Sequence, residues 1–111
     1  MNIVKQLQPL ELKNKLDSGH DIFLLDVREG WEFALAAIEG SENFPMGQVV
    51  DRQQEFIFEE EIVVICHFGA RSLLAAQELA ECGFNVYNLA GGIDAWSQVV
   101  DPCVPRYRQN G

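Results

Sequence analysis

The stretch from Glu61 to Gly83 constrains the fold most, because it reads as a buried strand, a cysteine-bearing turn and a helix with no spacer between them. Ile62-Val63-Val64-Ile65 is an unbroken, β-branched apolar run of strand length. It ends at Cys66. His67, Phe68 and Gly69 then form a turn, and Ala70-Arg71-Ser72 opens a segment of helical composition carrying Leu73, Leu74, Ala75, Ala76, Leu79 and Ala80. Open α/β sheets bind ligands outside the carboxyl ends of their strands. Successive N–H groups of such a turn, backed by a helix N-terminus, form a nest for an anion. The same dipole favours thiolate over thiol at Cys66, and Arg71 adds a fixed positive charge. A lone cysteine is more often a small buried hydrophobe. Its position at a strand end, with Gly69 and Arg71 following, favours the functional reading here.

The 111 residues are enough for one domain, 1–111, with a core that needs no disulfides; residues 101–111, with Pro102 and Pro105, read as an extended, partly mobile tail. With 48% hydrophobic residues and seven Phe, the chain is globular rather than disordered. A net charge of −9 argues against binding nucleic acid or an anionic membrane. It also slows anionic substrates at long range, so local dipoles must do any anion binding. Cys66, Cys82 and Cys103 cannot all pair and have no metal-ligand spacing, so they read as reduced thiols. The start of the chain has no apolar core of signal-peptide length, and no run reaches the eighteen or so apolar residues of a membrane span. The expectation is a soluble, cytoplasmic domain.

Taken in order, Ile3 and Val4 open a short edge strand, and Pro9 starts a helix with Leu12 and Leu16 on one face. Asp17-Ser18-Gly19 stops it. Ile22 to Val27 is a second apolar run, read as a central parallel strand. Glu29 to Ala37 reads as a helix whose start is weakened by Gly30. A brief strand is expected at Asn43-Phe44 and a helix from Gln48 to Glu55, while Glu59-Glu60-Glu61 reads as a solvated turn. Gly83 suits the end of the central helix, Asn85 to Leu89 the last strand, and Ile93 to Trp96 a short helix after Ala90-Gly91-Gly92. Strands alternating with helices imply a single parallel sheet of about five strands with helices on both faces. Trp31 and Trp96 read as core.

Four segments in this order resemble the single-domain rhodanese family of sulfurtransferases. Leu24 to Glu29, followed by Trp31-Glu32-Phe33, is similar to the family's first signature, and Ile38 to Met46 to its second. Cys66 to Ser72 resembles the active-site loop Cys-x-x-Gly-x-Arg/Ser-Ser/Thr. Leu89 to Trp96, L-A-G-G-I-D-A-W, resembles the closing signature nearly residue for residue. The second motif departs from the family's Gly-His-Ile-Pro-Gly-Ala: here Ala36-Ala37-Ile38-Glu39-Gly40-Ser41 keeps only Ile38 and Gly40. That segment is mainly structural in the family, so the change bears on local packing or partner contacts more than on the cysteine.

The resemblance implies that Cys66 takes a sulfane sulfur from thiosulfate or a persulfide donor and passes it to a thiophilic acceptor such as cyanide, a thiol or a protein. Main-chain N–H groups from His67 to Ser72, including Gly69 and Ala70, would hold the anionic persulfide. Arg71 would attract the donor, or else form a salt bridge that holds the loop. Ser72 would cap the helix or hydrogen-bond toward sulfur. His67, whose side chain diverges from its neighbour in a tight turn, is expected at the substrate or exposed rather than acting as a base. Phe68 would be a rim residue. Asp26 and Arg28, at a strand end, would support the site or pair within the scaffold. Cys82 reads as inert, and Cys103 as a spare thiol or a resolving one. No metal or organic cofactor is implied; partners would be small sulfur donors and thiols, with a sulfur-carrier protein or a desulfurase as further candidates. Two rivals stand beside this. A phosphatase or arsenate reductase is disfavoured because the loop between Cys66 and Arg71 is one residue too short to ring a phosphate. A sulfur-relay or binding module without turnover remains open.

Overall fold

The computed structural model describes residues 4–56 and 60–108. One fully parallel sheet runs in the order β1-β5-β4-β2-β3, from β1 (Lys5–Leu7), β2 (Ile22–Asp26), β3 (Glu42–Asn43), β4 (Glu61–Ile65) and β5 (Asn85–Leu89). Among the described residues four helices cover its two faces: α1 (Pro9–Asp17), α2 (Gly30–Leu35), α3 (Ala70–Glu81) and α4 (Gly92–Val99). The alternation of side chains along β4 explains the unbroken apolar run. Ile62 and Val64 enter a core with Ala75, Ala76 and Leu79 of α3, whereas Val63 and Ile65 enter another with Leu12 of α1 and Ile93 and Trp96 of α4. A central parallel strand buried on both faces has no polar side to show.

Local chemistry sets the ends of the helices. Pro9 occupies the first turn of α1, and the Gln8 N–H donates to Glu11 Oε1 at 2.9 Å in a capping box. A similar box opens α2, where the Glu29 N–H donates to Glu32 Oε1 at 3.1 Å. The entry to α3 needs the left-handed backbone of Gly69, at φ +101°.

Several local expectations are corrected. The first strand is Lys5–Leu7 rather than a strand opening at Val4, and Ile3 lies outside the described residues. No helix spans Gln48 to Glu55. Two short 3-10 turns, Met46–Gln48 and Gln53–Glu55, instead bring Val49 and Phe56 into the α3 core, so tertiary packing overrides helical composition. Glu61 is the first residue of β4 rather than part of a solvated turn, and is tied to Lys15 at 3.2 Å; Glu59 lies outside the described residues. From Pro102 to Arg108 the chain has no regular element, yet it is packed. Val104 is buried, its carbonyl accepts the Ser97 hydroxyl at 2.5 Å, and Tyr107 reaches the end of β4. No helix among the described residues is long and apolar enough to cross a membrane.

Candidate active site

Cys66 leaves the end of β4 with its side chain 1% exposed. The Gly69 N–H donates to its Sγ at 3.1 Å, and Ser72 Oγ lies 3.2 Å from the same sulfur. The turn that opens α4 holds this loop from behind. The Ile93 N–H donates to the Cys66 carbonyl at 2.8 Å and the Asp94 N–H to the His67 carbonyl at 3.1 Å. Gly92, at φ +63°, allows that approach, since a Cβ there would overlap both carbonyl oxygens. The glycine turn and the cysteine loop are therefore one structural unit, although twenty-odd residues of α3 and β5 separate them.

Arg71 does not point a bare charge at the sulfur. It forms a bidentate pair with Glu32 of α2, Nη1 to Oε1 and Nη2 to Oε2, both at 2.9 Å. Glu32 is fully buried. Burial alone would raise its carboxyl, but hydrogen bonds from Arg71, from the Tyr107 hydroxyl at 2.7 Å and from the Glu29 N–H outweigh that and hold it at about 2. The salt bridge expected of Arg71 as one alternative is thus present.

Asp26 and Arg28 are also buried and paired, Nη2 to Oδ2 at 2.6 Å. Arg28 Nε also donates to Asp26; Nη1 donates to the Glu32 carbonyl and to Tyr107 Oη at 2.8 Å, and Nη2 to the Ala36 carbonyl. All five of its donors are thus satisfied by the protein. Asp26 and Arg28 are therefore paired within the scaffold, and Arg28 links that pair to Glu32 and Tyr107. Tyr107 accepts from Arg28 and donates to Glu32, so one hydroxyl joins the two ion pairs. Its own proton is held firmly: burial leads in pushing Tyr107 up to about 12.

Two of the aromatic rings, His67 and Trp31, lie elsewhere than expected. His67 is 1% exposed, not on the surface, because its ring is stacked between Phe68, 3.9 Å away, and Tyr107. Neither ring nitrogen meets a hydrogen-bond partner among the described residues, so the ring serves as an apolar plate. Phe68 is 61% exposed and forms the rim. Trp31, expected in the core, is 55% exposed and packs edge-on against Tyr107, while Trp96 is in the core as expected. Ala70 is the first residue of α3. Cys82 and Cys103 are exposed, and all three thiols are free.

Three residues of the site were not singled out from the sequence: Glu32, Tyr107 and Asn88. Tyr107 carries no local signal, and Glu32, although within the Trp31-Glu32-Phe33 segment, carries none that marks it as the partner of Arg71. Asn88 does, as a polar residue at a fully buried position of β5 immediately before the glycine turn; the Ser72 hydroxyl lies 2.5 Å from its Oδ1.

Comparisons with known proteins agree with this architecture. Residues 8–99 match the model of the rhodanese-like domain. The chain is 32% identical over 97 residues to a sulfurtransferase of Allochromatium vinosum, covering 86% of this chain and 91% of that protein. It is 37% identical over 105 residues to the adenylyltransferase and sulfurtransferase MOCS3-2 of Zea mays, covering 87% of this chain but only 22% of that longer protein. Among solved structures, a rhodanese-like domain protein from Staphylococcus aureus superposes with a TM-score of 0.81 at 28% identity, covering 95% of this chain and all of the other. The family match runs from the cap of α1 to the last residue of α4, taking in strands β2 to β5, the cysteine loop and the turn that holds it, and the chain accordingly belongs to the rhodanese-like domain family.

Proposed function

We propose that this protein is a sulfurtransferase that carries a sulfane sulfur on Cys66. The observation that carries the reading is the pair of groups on one buried sulfur at a strand end, the Gly69 N–H at 3.1 Å and the Ser72 hydroxyl at 3.2 Å. A fixed N–H, with a hydroxyl that can turn its hydrogen to the sulfur, favours the anionic form, and an anionic sulfur is what attacks and what must be held afterwards. In the first step the Cys66 thiolate attacks the outer sulfur of thiosulfate or a persulfide. A new S–S bond forms, the donor's S–S bond breaks, and sulfite or a thiolate leaves with the electron pair. In the second, a thiophilic acceptor (cyanide, a thiol or a protein) attacks the terminal sulfur and the Cys66 thiolate departs.

Names among the relatives support both a free enzyme and a relay partner, since one is a sulfurtransferase and another joins that activity to an adenylyltransferase. A sulfur-carrier protein is accordingly a candidate acceptor. The three free thiols suit a reducing, cytoplasmic setting. The test is thiocyanate formation from cyanide with thiosulfate and with a low-molecular-weight persulfide. Turnover with either donor, lost in Cys66→Ser, is the expected result. No turnover with either, together with no sulfur delivered to a protein acceptor, would leave a binding module.

A further inference from the structure

Asn88 sits on β5 between β1 and β4, 1% exposed, where a strand buried on both faces ordinarily carries an apolar side chain. Its contacts fix which way its amide faces. One terminal atom lies 3.0 Å from the main-chain oxygen of Gly69, which can only accept, so that atom is the nitrogen. The same Nδ2 donates its second hydrogen to Gln6 Oε1 at 3.1 Å. The other terminal atom is then the oxygen, and it faces Ser72 Oγ at 2.5 Å. Ser72 has one hydroxyl hydrogen and two candidate acceptors, Asn88 Oδ1 and, at the longer distance of 3.2 Å, Cys66 Sγ. Asn88 Oδ1 carries no hydrogen, so two oxygens this close require the Ser72 hydrogen between them, which leaves Ser72 presenting lone pairs to the sulfur.

We propose that Asn88 is a positioning residue that controls the hydrogen bond between Ser72 and Cys66. While Cys66 is a thiol, Asn88 holds the Ser72 hydrogen and the Ser72 oxygen accepts from the S–H. When the sulfur becomes an anion, the hydroxyl turns. Its hydrogen leaves Asn88 Oδ1 and is donated to the sulfur, and Oδ1 is left with no donor from Ser72. Asn88 therefore opposes the anion at its first appearance. At the same time its Nδ2 keeps the Gly69 carbonyl, and with it the residue whose N–H is aimed at the sulfur, in place. One side chain thus both stiffens the cradle and sets how readily the cradle donates.

The role presupposes Cys66 as the reacting sulfur. Alkylation reads the thiol whatever it transfers, so failure of this test and failure of sulfur transfer are separate observations. The experiment measures the rate of iodoacetamide modification of the Cys66-bearing peptide at one fixed neutral pH, in the wild type and in Asn88→Ala, each with Ser72 and with Ser72→Ala. With Ser72 present, Asn88→Ala is expected to react roughly two- to tenfold faster, the worth of one hydrogen bond released to the sulfur. In the Ser72→Ala background the same change is expected to give no rise, because no hydroxyl remains to be released, and the lost hold on the Gly69 carbonyl can only lower the rate there. Asn88→Asp, which keeps an acceptor for Ser72, is expected to stay at or below the wild-type rate. If Asn88→Ala does not fold, Asn88→Leu fills the volume and carries the same expectation. A slower or unchanged rate with Ser72 present, an equal rise in both backgrounds, or an Asp variant as fast as Ala overturns the proposal.

Discussion

Tyr107 lies flat on His67, with ring centroids 4.1 Å apart and planes within 6° of parallel, so the irregular stretch that follows α4 forms a wall of the cysteine site. The same tyrosine donates to Glu32 at 2.7 Å and accepts from Arg28 at 2.8 Å. A residue far from Cys66 in sequence therefore holds both ion pairs that brace the loop.

Removing only that hydroxyl tests the arrangement. Tyr107→Phe keeps the stack on His67 but leaves a buried carboxylate short of one donor and a buried guanidinium short of one acceptor. The expected cost is about 2 kcal/mol, read as a lower denaturant midpoint with an unchanged slope. A change below about 0.5 kcal/mol would mean that the hydroxyl is not part of the network, since that is what a bland surface substitution gives.

Glu32 predicts an acid transition. Its carboxyl is held at about 2 against an ordinary 4.5, so its contribution to stability is present above about pH 4.5 and is lost as pH falls from there toward 2. The depression corresponds to roughly 3 kcal/mol. Chemical denaturation at pH 7 and at pH 3 should show a loss in the wild type that is reduced in Glu32→Gln, whose pH 7 stability is already lower. Equal pH dependence in both proteins would contradict the role of Glu32.

Gly92 predicts a large effect from a single methyl group. At φ +63°, with the Cys66 and His67 carbonyl oxygens in the way, Gly92→Ala must push the glycine turn off the cysteine loop. The expected loss is about 3 kcal/mol or more, or failure to fold, and it should disturb the reactivity of Cys66 as well. Gly40, at φ +85° with nothing within contact distance of a Cβ, is the control, and Gly40→Ala should cost only about 1 kcal/mol. Thermal midpoints of the two variants decide the matter; similar losses would mean that the close approach is unimportant.

Much of this was legible in the sequence, for a physical reason in each case. Ile22 to Asp26 and Ile62 to Ile65 had to be central parallel strands, because a continuous apolar run needs cover on both faces. Cys66, Gly69 and Ser72 came together because a strand, a turn and a helix start are local, and local geometry follows from neighbouring residues. The bracing network did not announce itself. Arg71 and Glu32 are 39 residues apart and Tyr107 and Glu32 are 75, and nothing in an acidic helix or a proline-containing tail marks which carboxylate will be buried or which tyrosine will fold back. The burial of His67 was hidden for the same reason: its ring is covered by Tyr107, a partner far along the chain. The 3-10 turns between Met46 and Glu55 were set by the needs of Val49 and Phe56 in the core, which composition within the segment does not reveal.

The most direct test of the central claim is the intact mass of the protein after exposure to thiosulfate or a persulfide donor and removal of the excess, for wild type and Cys66→Ser. The account predicts one additional sulfur on the wild type, released by cyanide or a reducing thiol, and none attributable to that site in the variant. An unmodified wild type with both donors, or an adduct that persists undiminished in Cys66→Ser, would contradict it.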